Sequence, residues 1–312
     1  MSRKVIKWIV QIVATFVFLY LALRKIDASQ LKEIARGINF WPLLIIPFLL
    51  FADLIINSYR ILSLYRFYGV ETKLFKILII KLQGFFFSLI FPLLGDAFKI
   101  QSFKNIYGSS YWKNSVVVLL DRLIYTFGLT IVILPILLLS LIEVNSLIKI
   151  VILALLIVEV LVLLVLNRPS IFKSIVNLLH KIHPIFHSWS LNFDSRKGYW
   201  NEIFYNTAIA ILRHGLIAIV YLCIAYSLLQ KFDFNIAAFF IVIFFIMISR
   251  IIPISVGGIG LSEYIAVAVF PQIGIPADYA FSIAFLMSTI MIIQGLIGGM
   301  SYVRNRVKTI ST

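Results

Sequence analysis

Cysteine is nearly missing from this sequence, and charge of either sign is scarce. The one cysteine, Cys223, lies inside an apolar run. A lone thiol excludes an intramolecular disulfide and any cysteine-built metal site. Only 13% of the residues are charged and 62% are hydrophobic, whereas an average soluble domain is about one quarter charged. That balance leaves no room for a soluble catalytic domain. Apolar runs near the roughly 20 residues that a bilayer span needs recur along the whole length, so the expected fold is an all-α polytopic membrane protein.

Acidic residues are the scarcer charge, 13 against 28 Lys and Arg, for a formal net charge of +15. The cations sit in short stretches between apolar runs and at both termini. They read as orientation signals and contacts to anionic headgroups rather than a nucleic-acid surface. Histidine is also rare, and His180, His183 and His187 fall in one basic amphipathic stretch, residues 168–200, whose common face Pro184 interrupts. A helix lying in the interface is expected there, not a metal site. No metal and no cofactor are expected elsewhere.

The first apolar run, Val5–Leu23, follows Arg3, Lys4 and Lys7 and ends in Arg24 and Lys25 without a small-residue cleavage site. It is expected to be a retained span. A polar link holding Asp27, Lys32, Glu33 and Arg36 leads to a second span at about Phe40–Leu62. The run from Leu74 to Leu94 is broken at Pro92 and Gly95, and Lys73/Lys76 and Lys104/Lys113 flank both its ends. The charge rule then puts both ends on one side and predicts a re-entrant helical hairpin with its tip around Phe91–Asp96. Further spans are expected at about Ser115–Leu141, Ile150–Leu166, Ile203–Leu229 and Ala277–Val303. A second broken run, Ile236–Phe270, has its tip at Pro253–Gly258.

In order, this reads span, span, hairpin from inside, span; then span, span, hairpin from outside, span. The expected architecture is an inverted repeat of two halves, residues 1–145 and 146–312, each with three spanning helices and one re-entrant hairpin. Both termini would be cytoplasmic, in the cell membrane. Broken apolar segments at matching places in inverted halves point to a transporter whose site lies between the two tips. The alternative is that each broken run is a pair of kinked spans.

Lipid penalises the charges inside these runs by about 2.5–3.5 kcal/mol each at the bilayer centre, so they are candidates for a site or for internal ion pairs. The polar and charged residues inside the runs include Asp53, Asn57 and Arg60 in the second span, Asp96 and Lys99 at the first tip, and Asp121 and Arg122 in the third span. Glu159, Arg213, His214, Arg250 and Glu263 follow. Ion pairing serving only the fold is the competing reading, above all for Asp53 with Arg60 and Asp121 with Arg122. Arg250 differs because it precedes the turn PISVGGIG, residues 253–260, and the helix carrying Glu263. A glycine turn opening a helix offers N–H groups and a positive dipole end to an anion. Its glycines also suit close helix packing.

The motif Pro253, Ser255, Gly257, Gly258, Gly260, Glu263, with the looser Pro92, Gly95, Asp96 and the Asp121-Arg122 pair, resembles that of the membrane domain of the lysylphosphatidylglycerol synthetase/flippase family. The resemblance covers nearly all of the chain and implies translocation of lipids with charged headgroups, such as aminoacylated phosphatidylglycerol. Related members are associated with polyprenyl-linked sugar pathways. Two departures stand out. Lys99 replaces an Arg and loses bidentate geometry, and the last span has Met287 or Ser288 where the family often has Arg.

The expected function is therefore a flippase or lipid transporter, not an enzyme. Its expected site residues are Arg250, Ser255, Gly257, Gly258, Gly260, Glu263, Asp96, Lys99, Asp121, Arg122, Arg60 and Arg213. The partner is a membrane lipid, aminoacyl-phospholipid or polyprenyl-phosphate-linked, with a lipid-modifying enzyme or glycosyltransferase as a second candidate. With no nucleotide-binding motif, the driving force would be a gradient, the membrane potential or substrate removal. An integral-membrane transferase on a lipid phosphate, and a non-transporting scaffold, are the alternatives.

Overall fold

The computed structural model describes residues 3–138, 146–167, 198–251 and 254–310. The amphipathic stretch 168–197, its three histidines, and Pro253 lie outside them. The described residues form helices joined by short connections. In a solvent that cannot satisfy backbone N–H and C=O groups, helices do so internally.

Arg3–Leu23 (α1) and Ala28–Arg36 (α2) meet at an 86° bend. The stretch expected as a polar link is thus a helix. Asp27 caps it, accepting from the Ser29 N–H at 2.8 Å, the short-range signal that starts a helix. Trp41–Leu44 (α3) and Ile46–Phe67 (α4) make the second span. Leu74–Ile90 (α5) and Pro92–Tyr107 (α6) are separated by Phe91 alone, the break expected from Pro92. Tyr111–Leu138 (α7), Ser146–Asn167 (α8) and Tyr199–Leu229 (α9) follow. Ile236–Ile251 (α10) and the nine-residue Leu261–Val269 (α11) flank the glycine turn, and Ala277–Ile310 (α12) ends the chain. Five of the described helical segments are long and apolar enough to cross a membrane, or six if the bent α1/α2 pair counts as one span. Large apolar side chains stand exposed along α1 (Val13, Phe16), α8 (Ile157, Leu161) and α12 (Ile293, Leu296). A soluble monomer rarely exposes such patches, and here they meet lipid. This is a multi-pass membrane protein.

The chain separates into two compact units, each assembled from distant parts of the sequence. Residues 1–55, 78–98 and 215–312 form one. In it α11 packs on α1, α10 and α12, around Ala22, Val267 and Phe281. α12 turns Gly295, Gly298 and Gly299 toward Leu89, Leu82 and Phe86 of α5. Small residues bring the two backbones close without a hydrophobic driving force. Residues 56–77 and 99–214 form the other unit, where α7 packs on α8, Tyr65 stacks on Phe103 with centroids 3.9 Å apart, and Gly128 admits Ala210 of α9.

Candidate functional site

In the first unit, the chain leaves α10 through Ser255, which is buried, and makes a single tight turn over Val256–Gly258. Gly258 (φ 79°) and Gly260 (φ 85°) lie in the left-handed region, where a side chain is strained. Space excludes one as well. A Cβ on Gly258 would stand 2.6 Å from Cγ and 2.8 Å from Cα of Arg250, and one on Gly260 would stand 2.5 Å from the Thr15 carbonyl oxygen of α1. Gly257 rests on the backbone of Leu89, two residues before the α5/α6 break at Phe91, where a Cβ would meet the carbonyl oxygen at 3.1 Å. The two broken segments therefore touch. The Val256 N–H donates to the Thr15 hydroxyl at 2.9 Å, fastening the turn to α1. Conformation and packing account for these glycines, and the polar opportunity lies in the side chains beside them.

Glu263 stands at the third position of α11 and is fully buried. Its carboxylate accepts from the Gly260 N–H at 2.6 Å, the Ser262 hydroxyl at 3.0 Å and the Ser288 hydroxyl of α12 at 2.5 Å. The reach back to Gly260 is the carboxylate half of a capping box. Arg250, at the last turn of α10, donates from Nη2 to Ser288 at 3.0 Å and to Ser262 at 3.5 Å, and from Nη1 to the Met291 sulfur. Its Nε is buried without a hydrogen-bond partner. The Tyr221 hydroxyl of α9, also buried and unpartnered, lies within the electrostatic reach of both Arg250 and Glu263. A guanidinium offers five donors. Among the described residues the acceptors it finds are two hydroxyls and a thioether, and a phosphate or carboxylate is a far better partner. Ser255 adds a second buried hydroxyl without a partner at the turn. Asp96 is buried in the same unit.

The remaining expected residues belong to the second unit. Arg60 of α4, 1% exposed, forms an ion pair with Asp121 of α7. It also donates to the Asp121 carbonyl at 3.3 Å and the Asn57 side chain at 3.4 Å. Asp121 thus has a partner from another helix, which adjacency to Arg122 does not reveal. Arg213 stacks 5.6 Å over the Tyr125 ring, and His214 bonds the Tyr125 carbonyl at 2.9 Å. Lys99 and Arg122 are half-buried. Glu159 of α8 is buried beside Thr126 and Thr130 of α7.

Sequence reasoning passed over Ser262, Tyr221 and Met291, which complete the surroundings of Arg250 and Glu263. Isolated serines in apolar helices carry no pattern that separates a site hydroxyl from a packing residue. Ser288 stood out only as a departure from the family's residue in the last span.

No curated protein matches the chain. A family model described as the lysylphosphatidylglycerol synthase transmembrane region matches residues 8–299. The match runs through the glycine turn and into α12. The chain belongs to the family of lysylphosphatidylglycerol synthase transmembrane regions.

Proposed function

We propose that this protein is a flippase that moves a lipid with a phosphate-containing headgroup between leaflets of the cell membrane. The observation that carries the reading is Arg250: a guanidinium inside the membrane domain with an unpartnered Nε and a sulfur on Nη1. Burial of an incompletely satisfied cation is costly, and an anionic headgroup offsets that cost when bound. Glu263 holds the serines that position the guanidinium. With three donors of its own, it is already satisfied.

Several features support alternating access by an inverted repeat. α11 itself has nine residues and reaches span length only together with the short helical turns on either side of it, Val256–Gly258 and Phe270–Ile273. The breaks after α5 and α10 sit at corresponding places in the two halves, and Gly257 against Leu89 joins them. In this reading α5/α6 and α10/α11 are re-entrant hairpins and both termini are cytoplasmic. In it the headgroup is held at Arg250, and no bond is made or broken. Aminoacyl-phospholipids and polyprenyl-phosphate-linked lipids are the substrate classes the family suggests. A lipid-modifying enzyme would supply or consume them.

The test is a scramblase-type assay in proteoliposomes holding fluorescent phosphatidylglycerol, with dithionite reading the outer leaflet. The purified protein should bring inner-leaflet label into reach, and Arg250→Ala should lower the rate at least tenfold while inserting normally. Equal rates for wild type and variant would overturn the assignment of Arg250. Chemical turnover of the lipid in detergent, where leaflets do not exist, would replace flipping by a transferase activity.

A further inference from the structure

Away from the glycine turn, the second unit holds a cleft of about 830 Å³ between the end of α4, the α4–α5 connection, the start of α5 and the end of α6. Arg66, Lys73 and Lys76 line it with Glu71, Thr72 and Tyr107, and Val70 and Ile106 complete its walls. Its volume falls in the range of small-molecule sites, about 300–1,000 Å³. Three cations against one carboxylate leave it positive.

The placement of those cations is unfavourable for the empty protein. Lys73 immediately precedes α5 and Lys76 sits in its first turn, with no acidic residue there. A helix N-terminus carries partial positive charge, so acids stabilise it and lysines do not. The three cations have no ion pair with any described residue. Thr72, just before the helix, is 7% exposed, and its hydroxyl has no hydrogen-bond partner among the described residues. Tyr107 is held in place by the Lys73 N–H, which donates to its hydroxyl at 3.5 Å. An orphaned buried hydroxyl, a helix N-terminus and three cations meet in one cleft, and a single kind of ligand relieves all three.

We infer that this cleft binds the phosphate of an anionic ligand, with Lys73, Lys76 and Arg66 supplying charge, Thr72 a hydroxyl donor and the α5 N-terminus its first N–H groups. The cleft lies where the apolar α4 gives way to charge. The half-exposed Ile106 gives an apolar lip on which the upper part of an acyl chain can rest. Glu71 faces the same space and suits a hydroxyl or ammonium group on the headgroup. The site does not depend on Arg250 and stands or falls separately from the flippase reading.

The experiment is native mass spectrometry of the full chain in neutral detergent, titrated with short-chain phosphatidylglycerol and, for comparison, phosphatidylcholine. It is run in wild-type and Arg250→Ala backgrounds so that the turn site is counted separately. In both backgrounds Thr72→Val, which keeps every charge and the side-chain shape, should weaken phosphatidylglycerol binding about three- to tenfold, the effect of one hydrogen bond. Lys73→Gln/Lys76→Gln should weaken it further. Phosphatidylcholine binding should not change. Displacement of the lipid by millimolar inorganic phosphate would identify a soluble phosphate as a sufficient ligand, and failure to displace would assign the site to the lipid; both uphold phosphate recognition. Phosphatidylglycerol retained equally by wild type and Thr72→Val, at unchanged thermal stability, would overturn it, whether or not the double lysine variant inserts.

Discussion

Arg250 and Glu263 share the same two serines without forming a direct ion pair: Ser262 and Ser288 each accept from the guanidinium and donate to the carboxylate. The pair is thereby separated by one layer of hydroxyls. A direct bidentate bridge would consume the fork of the arginine. The relay leaves Nε unspent, keeps opposite charges near each other inside the membrane, and holds α10, α11 and α12 in register.

Glu263→Gln tests the relay from its acceptor side. An amide presents one acceptor oxygen and two donors where three donors now converge, so a buried donor is left unsatisfied. The expected loss of stability is about 1–3 kcal/mol, read as a lower unfolding midpoint in detergent. Ser288→Ala should cost less, about 1 kcal/mol, because Ser262 still bridges the pair. A Glu263→Gln midpoint equal to wild type would mean the carboxylate does not organise the cluster.

The glycine turn makes a sharper contrast. Gly260→Ala places a Cβ against the Thr15 carbonyl at positive φ, and left-handed strain alone costs about 1–2 kcal/mol. With the overlap, a loss above about 2 kcal/mol is expected. Gly215→Ala in α9 meets nothing within 4 Å and should stabilise by about 0.5–1 kcal/mol, the usual gain of alanine over glycine in a helix. Thermal scans of the two variants check both signs. Similar midpoints would mean that the turn relaxes away from α1 at little cost.

These features differ in how far the sequence discloses them. The break after Ile90 follows from Pro92, whose effect is local, and the expected span limits fall within about four residues of α7, α8 and α9 but five to seven residues from those of α4 and from the end of α12. Helix α2 escaped because charge was weighed as a topology signal, although Asp27 followed by Ser29 is a capping pattern readable from sequence. Partners across helices are another matter. Arg60 and Asp121 lie 61 residues apart, and only the packing of α4 on α7 makes them neighbours. Asp53, one to two turns before Arg60, offered a nearer acid. Ser288 lies 38 residues from Arg250, so it joins the site through tertiary structure alone.

The Arg60–Asp121 pair is suited to a double-mutant cycle. Removing one partner takes the counter-ion from the other charge, and Arg60→Ala or Asp121→Ala should each cost about 3–5 kcal/mol. The double variant removes both charges and should be more stable than the sum of the single losses allows, with a coupling of at least about 1 kcal/mol. Unfolding in detergent measures all four corners. Additive losses would show that the two side chains matter through packing alone.

Glu159 supplies the converse case. It is 3% exposed in α8, and among the described residues neither carboxyl oxygen has a hydrogen bond of normal geometry, although Thr126 and Thr130 lie close enough to interact with it. The adjacent Thr126 and Thr130 hydroxyls donate instead to carbonyls of their own helix, at 3.1–3.2 Å and 3.0 Å. A buried polar group without a partner costs about 1–3 kcal/mol in proteins, so Glu159→Met, of similar length and without that demand, should raise the unfolding midpoint. A group kept at such a cost commonly serves the working cycle of a protein, where stability and activity trade against each other. The variant should therefore be more stable and slower in the proteoliposome assay. Higher stability with full flipping would show Glu159 to be dispensable for transport. A lower midpoint would mean that the carboxyl holds α8 on α7 through its shape.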